Sequence, residues 1–80
     1  MDGYLLVLRY SVGDVPIFLG TEEQCLGLAT DFSPEGAWAL ARTVCRKLDW
    51  PEPQPEAGAW SIVRVSDGFP VEAVEVAEIS

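Results

Sequence analysis

The sequence predicts an α+β fold with a mainly antiparallel four-stranded sheet and two helices on one of its faces, in the order β-β-α-α-β-β. Short apolar segments bounded by turn residues lie near both ends of the chain, which is typical of β-hairpins. A segment with helical periodicity, residues 33–48, lies between them. Because 80 residues leave room for one domain only, residues 1–80 are expected to fold as a single small domain.

Residues 4–10 predict the first strand, since the run is short, rich in aliphatic side chains and followed by turn residues. Alternation gives one face Tyr4, Leu6, Leu8 and Tyr10 and the other face Leu5, Val7 and Arg9. Both faces are largely apolar, which indicates a central strand or a strand covered by a second molecule. After a turn at 11–14, residues 15–19 predict a second strand. Because Pro16 lacks an amide donor, it belongs near the start of this strand or the strand lies at a sheet edge.

Residues 21–32 fit two interpretations. Thr21 followed by Gln24 has the form of a capping box, and a helix would place Cys25, Leu28, Ala29 and Phe32 on one face. Gly27 weakens a helix by about 1 kcal/mol relative to Ala, so a strand is the alternative. In that case the layout becomes β3-α-β2, with five strands and one helix.

Residues 33–48 predict a helix with well-defined ends. Ser33 is a suitable N-cap and Pro34 suits the first helical position. Arg46 and Lys47 would oppose the negative end of the helix dipole. The apolar stripe of this helix comprises Ala37, Leu40, Ala41, Val44, Cys45 and Leu48, with Trp38 at its edge.

A connector over residues 49–58 and a hairpin over residues 59–79 complete the predicted fold. Alternating prolines keep the connector extended. Asp67-Gly68 predicts a two-residue turn between arms at 60–65 and 71–79. The three-residue spacing of Glu72, Glu75 and Glu78 fits a strand only if a bulge lies near Ala73-Val74.

The formal net charge of −8 disfavours direct binding to nucleic acid or to an anionic membrane, and it favours a basic protein partner. We find no signal-peptide pattern and no apolar run long enough to span a membrane. The two cysteines, Cys25 and Cys45, are too few for a secreted disulfide framework. We therefore expect a cytoplasmic protein with buried free thiols.

Histidine, the commonest general base and metal ligand, does not occur in the sequence. A Ser-His or Cys-His nucleophile is thus impossible within the chain. There is no glycine-rich phosphate-binding motif and no C-x-x-C pair. We expect no enzymatic activity, no catalytic or metal-binding residues and no cofactor.

The sequence therefore favours a non-catalytic protein–protein interaction module, such as an adaptor, an inhibitor or an immunity- or antitoxin-type partner. One helix layer would leave the other sheet face uncovered, so we expect a homodimer or another protein partner. The candidate partner-binding residues are Trp50, Leu5, Val7, Glu72 and Glu75. The alternatives are a small-molecule-binding accessory subunit, with a pocket lined by Tyr10, Trp38 or Trp60, and an acidic nucleic-acid mimic.

Overall fold

The computed structural model describes residues 3–79 and confirms the predicted α+β fold, with two helices on one face of a four-stranded antiparallel sheet. The strands are arranged in the order β2-β1-β3-β4, so β1 and β3 are central and β2 and β4 form the edges. Neither helix within residues 3–79 is long and apolar enough to cross a membrane. The elements are β1 Tyr4–Tyr10, β2 Gly13–Gly20, α1 Glu22–Asp31, α2 Pro34–Leu48, β3 Gly58–Arg64 and β4 Pro70–Val76.

Helix α1 resolves the ambiguity over residues 21–32 and excludes the five-stranded alternative. The capping box is formed: Thr21 Oγ1 accepts from the Gln24 amide at 3.1 Å, and Gln24 Oε1 accepts from the Thr21 amide at 3.0 Å. These bonds satisfy two amides at a helix end that would otherwise lack partners. Cys25 and Ala29 are buried, whereas Gly27 is exposed, as the helical interpretation requires.

Helix α2 begins and ends at the predicted residues. The Ser33 side chain accepts from the Gly36 amide, and Pro34 occupies the first helical position. At the other end Asp49 adopts a left-handed conformation, with φ of 58°, which stops the helix. Leu48 departs from the prediction: it is 45% exposed rather than part of the buried stripe, because it lies in the last turn.

The hydrophobic core lies between the helices and one face of the sheet. The central strands supply Leu6, Leu8 and Ile62, all fully buried, and Trp60, which is 1% exposed. The Phe32 ring packs against the Trp60 ring, with centroids 5.8 Å apart. The helices contribute small side chains, which let them approach the sheet closely: Cys25, Ala29, Ala37, Ala41 and Cys45.

Bulges occur in both edge strands, and the predicted position of one of them is wrong. Between β1 and β2, Leu6 pairs with Phe18 and Val7 pairs with Pro16, so Ile17 is the extra residue of β2. In β4 the extra residue is Val71, not Ala73 or Val74 as predicted. Both extra residues pack against the core. Each bulge therefore adds an apolar side chain to the helix-covered face.

The connection between β3 and β4 also differs from the predicted two-residue turn. The Arg64 amide donates to the Phe69 carbonyl at 2.9 Å, so the loop is longer. The Asp67 carboxylate holds it together, accepting from the Arg64 guanidinium at 2.6 Å and from the Phe69 amide at 3.0 Å. Gly68, with φ of 71°, supplies the left-handed residue. Strand β4 starts at residue 70 and ends at 76, three residues before the predicted end.

Gly58 is required by a close approach between strands, and its replacement tests this packing. A Cβ at Gly58 would lie 2.6 Å from the Arg9 carbonyl oxygen and 2.8 Å from the Tyr10 ring. We expect Gly58→Ala to lower the free energy of unfolding by about 1–3 kcal/mol, measured by urea denaturation. In the matched control Gly27→Ala, the new Cβ meets nothing within 4 Å, and we expect a gain of up to about 1 kcal/mol. Equal stability of the two variants would contradict this packing.

Candidate interaction surface

The sheet face opposite the helices carries a continuous set of side chains at three levels along the strands. Directly paired residues of antiparallel strands point to the same face, so the strand register identifies the members. We call this surface the open face. It comprises Asp14, Arg9, Ala59 and Glu75 at the first level, Pro16, Val7, Ser61 and Ala73 at the second, and Leu19, Leu5, Val63 and Pro70 at the third.

The open face does not contribute to the core. Val7 is only 6% exposed and yet stands outside the core cluster. It is covered by its neighbours in the sheet, because it lies in the middle of a central strand. Leu5 and Val63 are half-buried, and Leu19 on the edge strand is 64% exposed. The centre of the face is therefore apolar and largely covered by the sheet itself, and its most exposed apolar side chain is Leu19 at the edge.

The charged groups of the open face lie at one end. Arg9 Nε is 3.5 Å from Asp14 Oδ1, and both side chains are about half exposed. Glu75 lies at the same level on β4 and is exposed. The other two levels carry apolar or small side chains only. The open face thus combines an apolar region with a charged end.

The structure brings together three of the five residues predicted to bind a partner. Leu5, Val7 and Glu75 share the open face. Glu72 pairs with the fully buried Ile62 and therefore lies on the opposite face. Trp50 follows α2 on the helix side and is 45% exposed, in agreement with its predicted partial exposure.

Sequence reasoning missed the edge-strand and β3 members of the open face. Leu19 and Val63 both pair with Leu5, one from each side. Side chains alternate along a strand, so Val63 lies on the face of β3 that Ile62 does not occupy. This alternation could have identified Val63 from the sequence. Leu19 could not be assigned in this way, because the bulge at Ile17 shifts the alternation in β2.

The connector is fixed against α2 by a group of polar contacts. Glu52 Oε1 lies 3.1 Å from both Arg42 Nε and Arg46 Nη2. Trp38 Nε1 donates to the Pro53 carbonyl at 3.0 Å, and the Arg42 guanidinium lies over the Trp38 ring. These bonds hold the connector on the helix layer, away from the open face.

Both cysteine thiols are free and lie in the core. Burial raises the pKa of both the Cys25 and the Cys45 thiol, which disfavours the nucleophilic thiolate. Within residues 3–79 no group of three or more potential ligands is placed to hold a metal ion. A cleft of about 490 Å³ has none of the aromatic side chains expected for a pocket in its lining, which comprises Ala57, Gly58, Ala59, Glu75, Val76 and Ala77.

Comparisons with protein-family models, with curated proteins and with solved structures found no match for this chain. The arguments about function therefore depend on the geometry described above.

The Glu52 contacts make a contribution to stability that depends on pH. Hydrogen bonds from Arg46 and Arg42 lower the pKa of Glu52 in the folded protein. A lowered pKa stabilises the fold at pH values above the ordinary glutamate value of about 4.3, and this stabilisation disappears as the pH falls through the folded-state pKa. We expect Glu52→Gln to be less stable than the unsubstituted protein at pH 7, with a difference that shrinks on acidification. Thermal unfolding at pH 7 and at a pH below the folded-state pKa of Glu52 measures the difference. A difference that stays constant would contradict the role given to the Glu52 carboxylate.

The Tyr10 hydroxyl is buried and has no hydrogen-bond partner within residues 3–79. Burial, together with the nearby Glu56 carboxylate, raises the pKa of this phenol. Because an unsatisfied buried hydroxyl costs free energy, we expect Tyr10→Phe to be at least as stable as the original protein. Denaturant unfolding tests this, and a loss of about 1 kcal/mol or more would show that the hydroxyl forms a bond.

Proposed function

We propose that this chain is a non-catalytic protein-interaction module that binds through its open face. The observation that supports the proposal is the apolar centre of that face, formed by Leu5, Val7 and Val63 and extended by the exposed Leu19. No helix within residues 3–79 covers this apolar face, and Leu19, which is 64% exposed, offers a partner apolar surface to bury. Central strands that are apolar on both faces are typical of sheets covered on both sides, which is also consistent with a partner on the open face.

The chemistry of the side chains supports binding rather than catalysis. The thiols are buried with raised pKa values, and the chain contains no histidine. Two reduced, buried cysteines also support our proposal that the module works in the cytoplasm, where thiols remain reduced. A protein partner needs none of these groups to react, since apolar burial and charge placement suffice for association.

A single substitution on the open face tests the proposal. We expect Leu19→Glu to weaken association by about tenfold or more, because burying Leu contributes about 1.5–3 kcal/mol and each 1.4 kcal/mol is tenfold. Association is measured as mass in solution by light scattering and as proteins retained in affinity capture from the native cell.

The matched control is Leu26→Glu, which introduces the same charge on the outer side of α1, where Leu26 is 38% exposed. Leu26→Glu should keep both the mass and the captured proteins. If Leu19→Glu also keeps both, the open face is not the binding surface and the proposal is wrong.

A further inference from the structure

We propose that the free edge of β4 binds an extended, basic segment of another protein, which joins the sheet as an additional antiparallel strand. This surface is separate from the apolar centre of the open face, so the inference goes beyond the proposed function. It rests on the backbone groups that β4 presents at the edge of the sheet and on the carboxylates beside them. Strand addition of this kind takes its affinity from main-chain hydrogen bonds and its specificity from side chains.

Two hydrogen bonds near the end of β3 show how its backbone groups are directed. The Val65 amide donates to the Gly3 carbonyl, on the β1 side, at 3.0 Å. The Arg64 amide donates to the Phe69 carbonyl, on the β4 side, at 2.9 Å. Because the backbone groups of successive strand residues point to opposite sides, the even-numbered residues of β3 bond to β4.

The direction of the β3 groups determines which groups of β4 point to the free edge. Trp60 is an even-numbered residue and pairs with Val74, so the amide and carbonyl of Val74 point toward β3. Those of Ala73 and Glu75, on either side of Val74, therefore point away from the sheet. An incoming antiparallel strand would exchange hydrogen bonds with both residues.

Of the two sheet edges, β4 offers the more regular one. Strand β2 has Pro16 in its interior and a bulge at Ile17, and both features interrupt hydrogen bonding at an edge. In β4 the proline is Pro70, the first residue, and the bulge at Val71 follows it directly. Residues 72–76 pair with β3 in an unbroken register. This part of the edge is therefore suited to a further strand.

The side chains of β4 determine the charge of the strand that fits. Glu72 and Glu75 are exposed, and neither forms an ion pair within residues 3–79. Like charges directly opposite each other destabilise a strand pair, whereas opposite charges stabilise it. An acidic strand, including β4 of a second copy, is therefore disfavoured, and a basic strand is favoured.

The surroundings of β4 leave room for the side chains of such a strand. The cleft of about 490 Å³ has Glu75 in its lining, together with the small residues Ala59 and Ala77. A long basic side chain can therefore lie beside the Glu75 carboxylate. On the other face of the sheet, Val74 is half-buried beside Trp60, and an apolar side chain of the added strand would cover it.

The register gives the added strand a sequence pattern. Antiparallel pairing requires basic residues opposite Glu75 and Glu72 and an apolar residue opposite Val74. The peptide acetyl-TVKVTKT-amide has this order, with its first lysine opposite Glu75 and its second opposite Glu72. We expect it to bind, to slow the hydrogen exchange of the Ala73 and Glu75 amides, and to bind more weakly as salt is added. Amide signals of the labelled protein, followed by NMR during titration, measure this.

Position-specific charge exchange tests the register. We expect Glu75→Lys to raise the dissociation constant of acetyl-TVKVTKT-amide about fivefold or more, because two lysines would then face each other. The peptide acetyl-TVEVTKT-amide should restore the affinity of Glu75→Lys but not that of Glu72→Lys, which requires acetyl-TVKVTET-amide. In the matched control Glu23→Lys, the same charge changes in the first turn of α1, and the dissociation constant should rise less than about twofold.

N-methylation of the peptide tests the backbone hydrogen bonds. Methylating the middle threonine, opposite Ala73, removes a donor directed at β4, and we expect affinity to fall about fivefold or more. The matched control methylates the valine opposite Val74, whose amide points away from β4, and should change affinity less than about twofold. Circular dichroism confirms that each protein variant is folded.

Three results would overturn the proposal: no binding of acetyl-TVKVTKT-amide up to about 1 mM, equal binding of acetyl-TVEVTET-amide, or equal effects of the two methylations. Leu19→Glu lies on the other edge strand and should bind the peptide unchanged. If no peptide binds but Leu19→Glu abolishes association, the proposed function stands and only the β4 proposal is wrong. If the peptide binds as expected but Leu19→Glu changes neither mass nor capture, the β4 proposal stands and the proposed role of the open face is wrong.

Discussion

The constraint on which the structure depends is the presence of one helix layer for a sheet that is apolar on both faces. Leu6 and Leu8 of β1 are fully buried beneath the helices, while Leu5 and Val7 alternate with them onto the open face. Within residues 3–79 both helices lie on the other side, so neither covers the open face. Within the described residues, the second face is covered by the side chains of the sheet itself.

The edge strands show how the chain limits unwanted association while leaving that face open. Pro16 lies within β2 and Pro70 begins β4, so the backbone donors missing from proline fall on edge strands. The bulges turn Ile17 and Val71 toward the core, where they add to packing. Because these two side chains pack in the core, they are not exposed at the sheet edges, where apolar strands can pair non-specifically with other chains.

Much of the fold was predictable because local signals agreed with tertiary packing. Thr21 and Gln24 formed a capping box, and its hydrogen bonds outweighed the helix-weakening Gly27. The Asp67-Gly68 turn failed because the Asp67 carboxylate bonds both Arg64 and the Phe69 amide, which favours a longer loop. The longer loop depends on Arg64, three residues before Asp67, so the Asp67-Gly68 dipeptide alone could not predict it.

The candidate surface was less predictable, because its members depend on strand register. Alternation within β1 identified Leu5 and Val7, but Leu19 required the position of the β2 bulge. The sequence analysis predicts both Glu72 and Glu75 as partner-binding residues, yet an interval of three residues in a regular strand places them on opposite faces. Pairing across strands, rather than composition, decides which groups can act together.

The distribution of charge distinguishes the open face from the rest of the surface. Asp14, Glu52 and Asp67 pair with the four arginines, so most other carboxylates within residues 3–79 remain in solvent without an ion pair. This surplus of negative charge repels other acidic molecules at long range, although salt screens it beyond about 8 Å at physiological ionic strength. On the open face the only basic group is Arg9, and it stands at the same level as the only unpaired carboxylate of that face, Glu75. The open face therefore carries one positive group, Arg9, against two negative groups, Asp14 and Glu75, so little of the negative charge of the chain lies on this face.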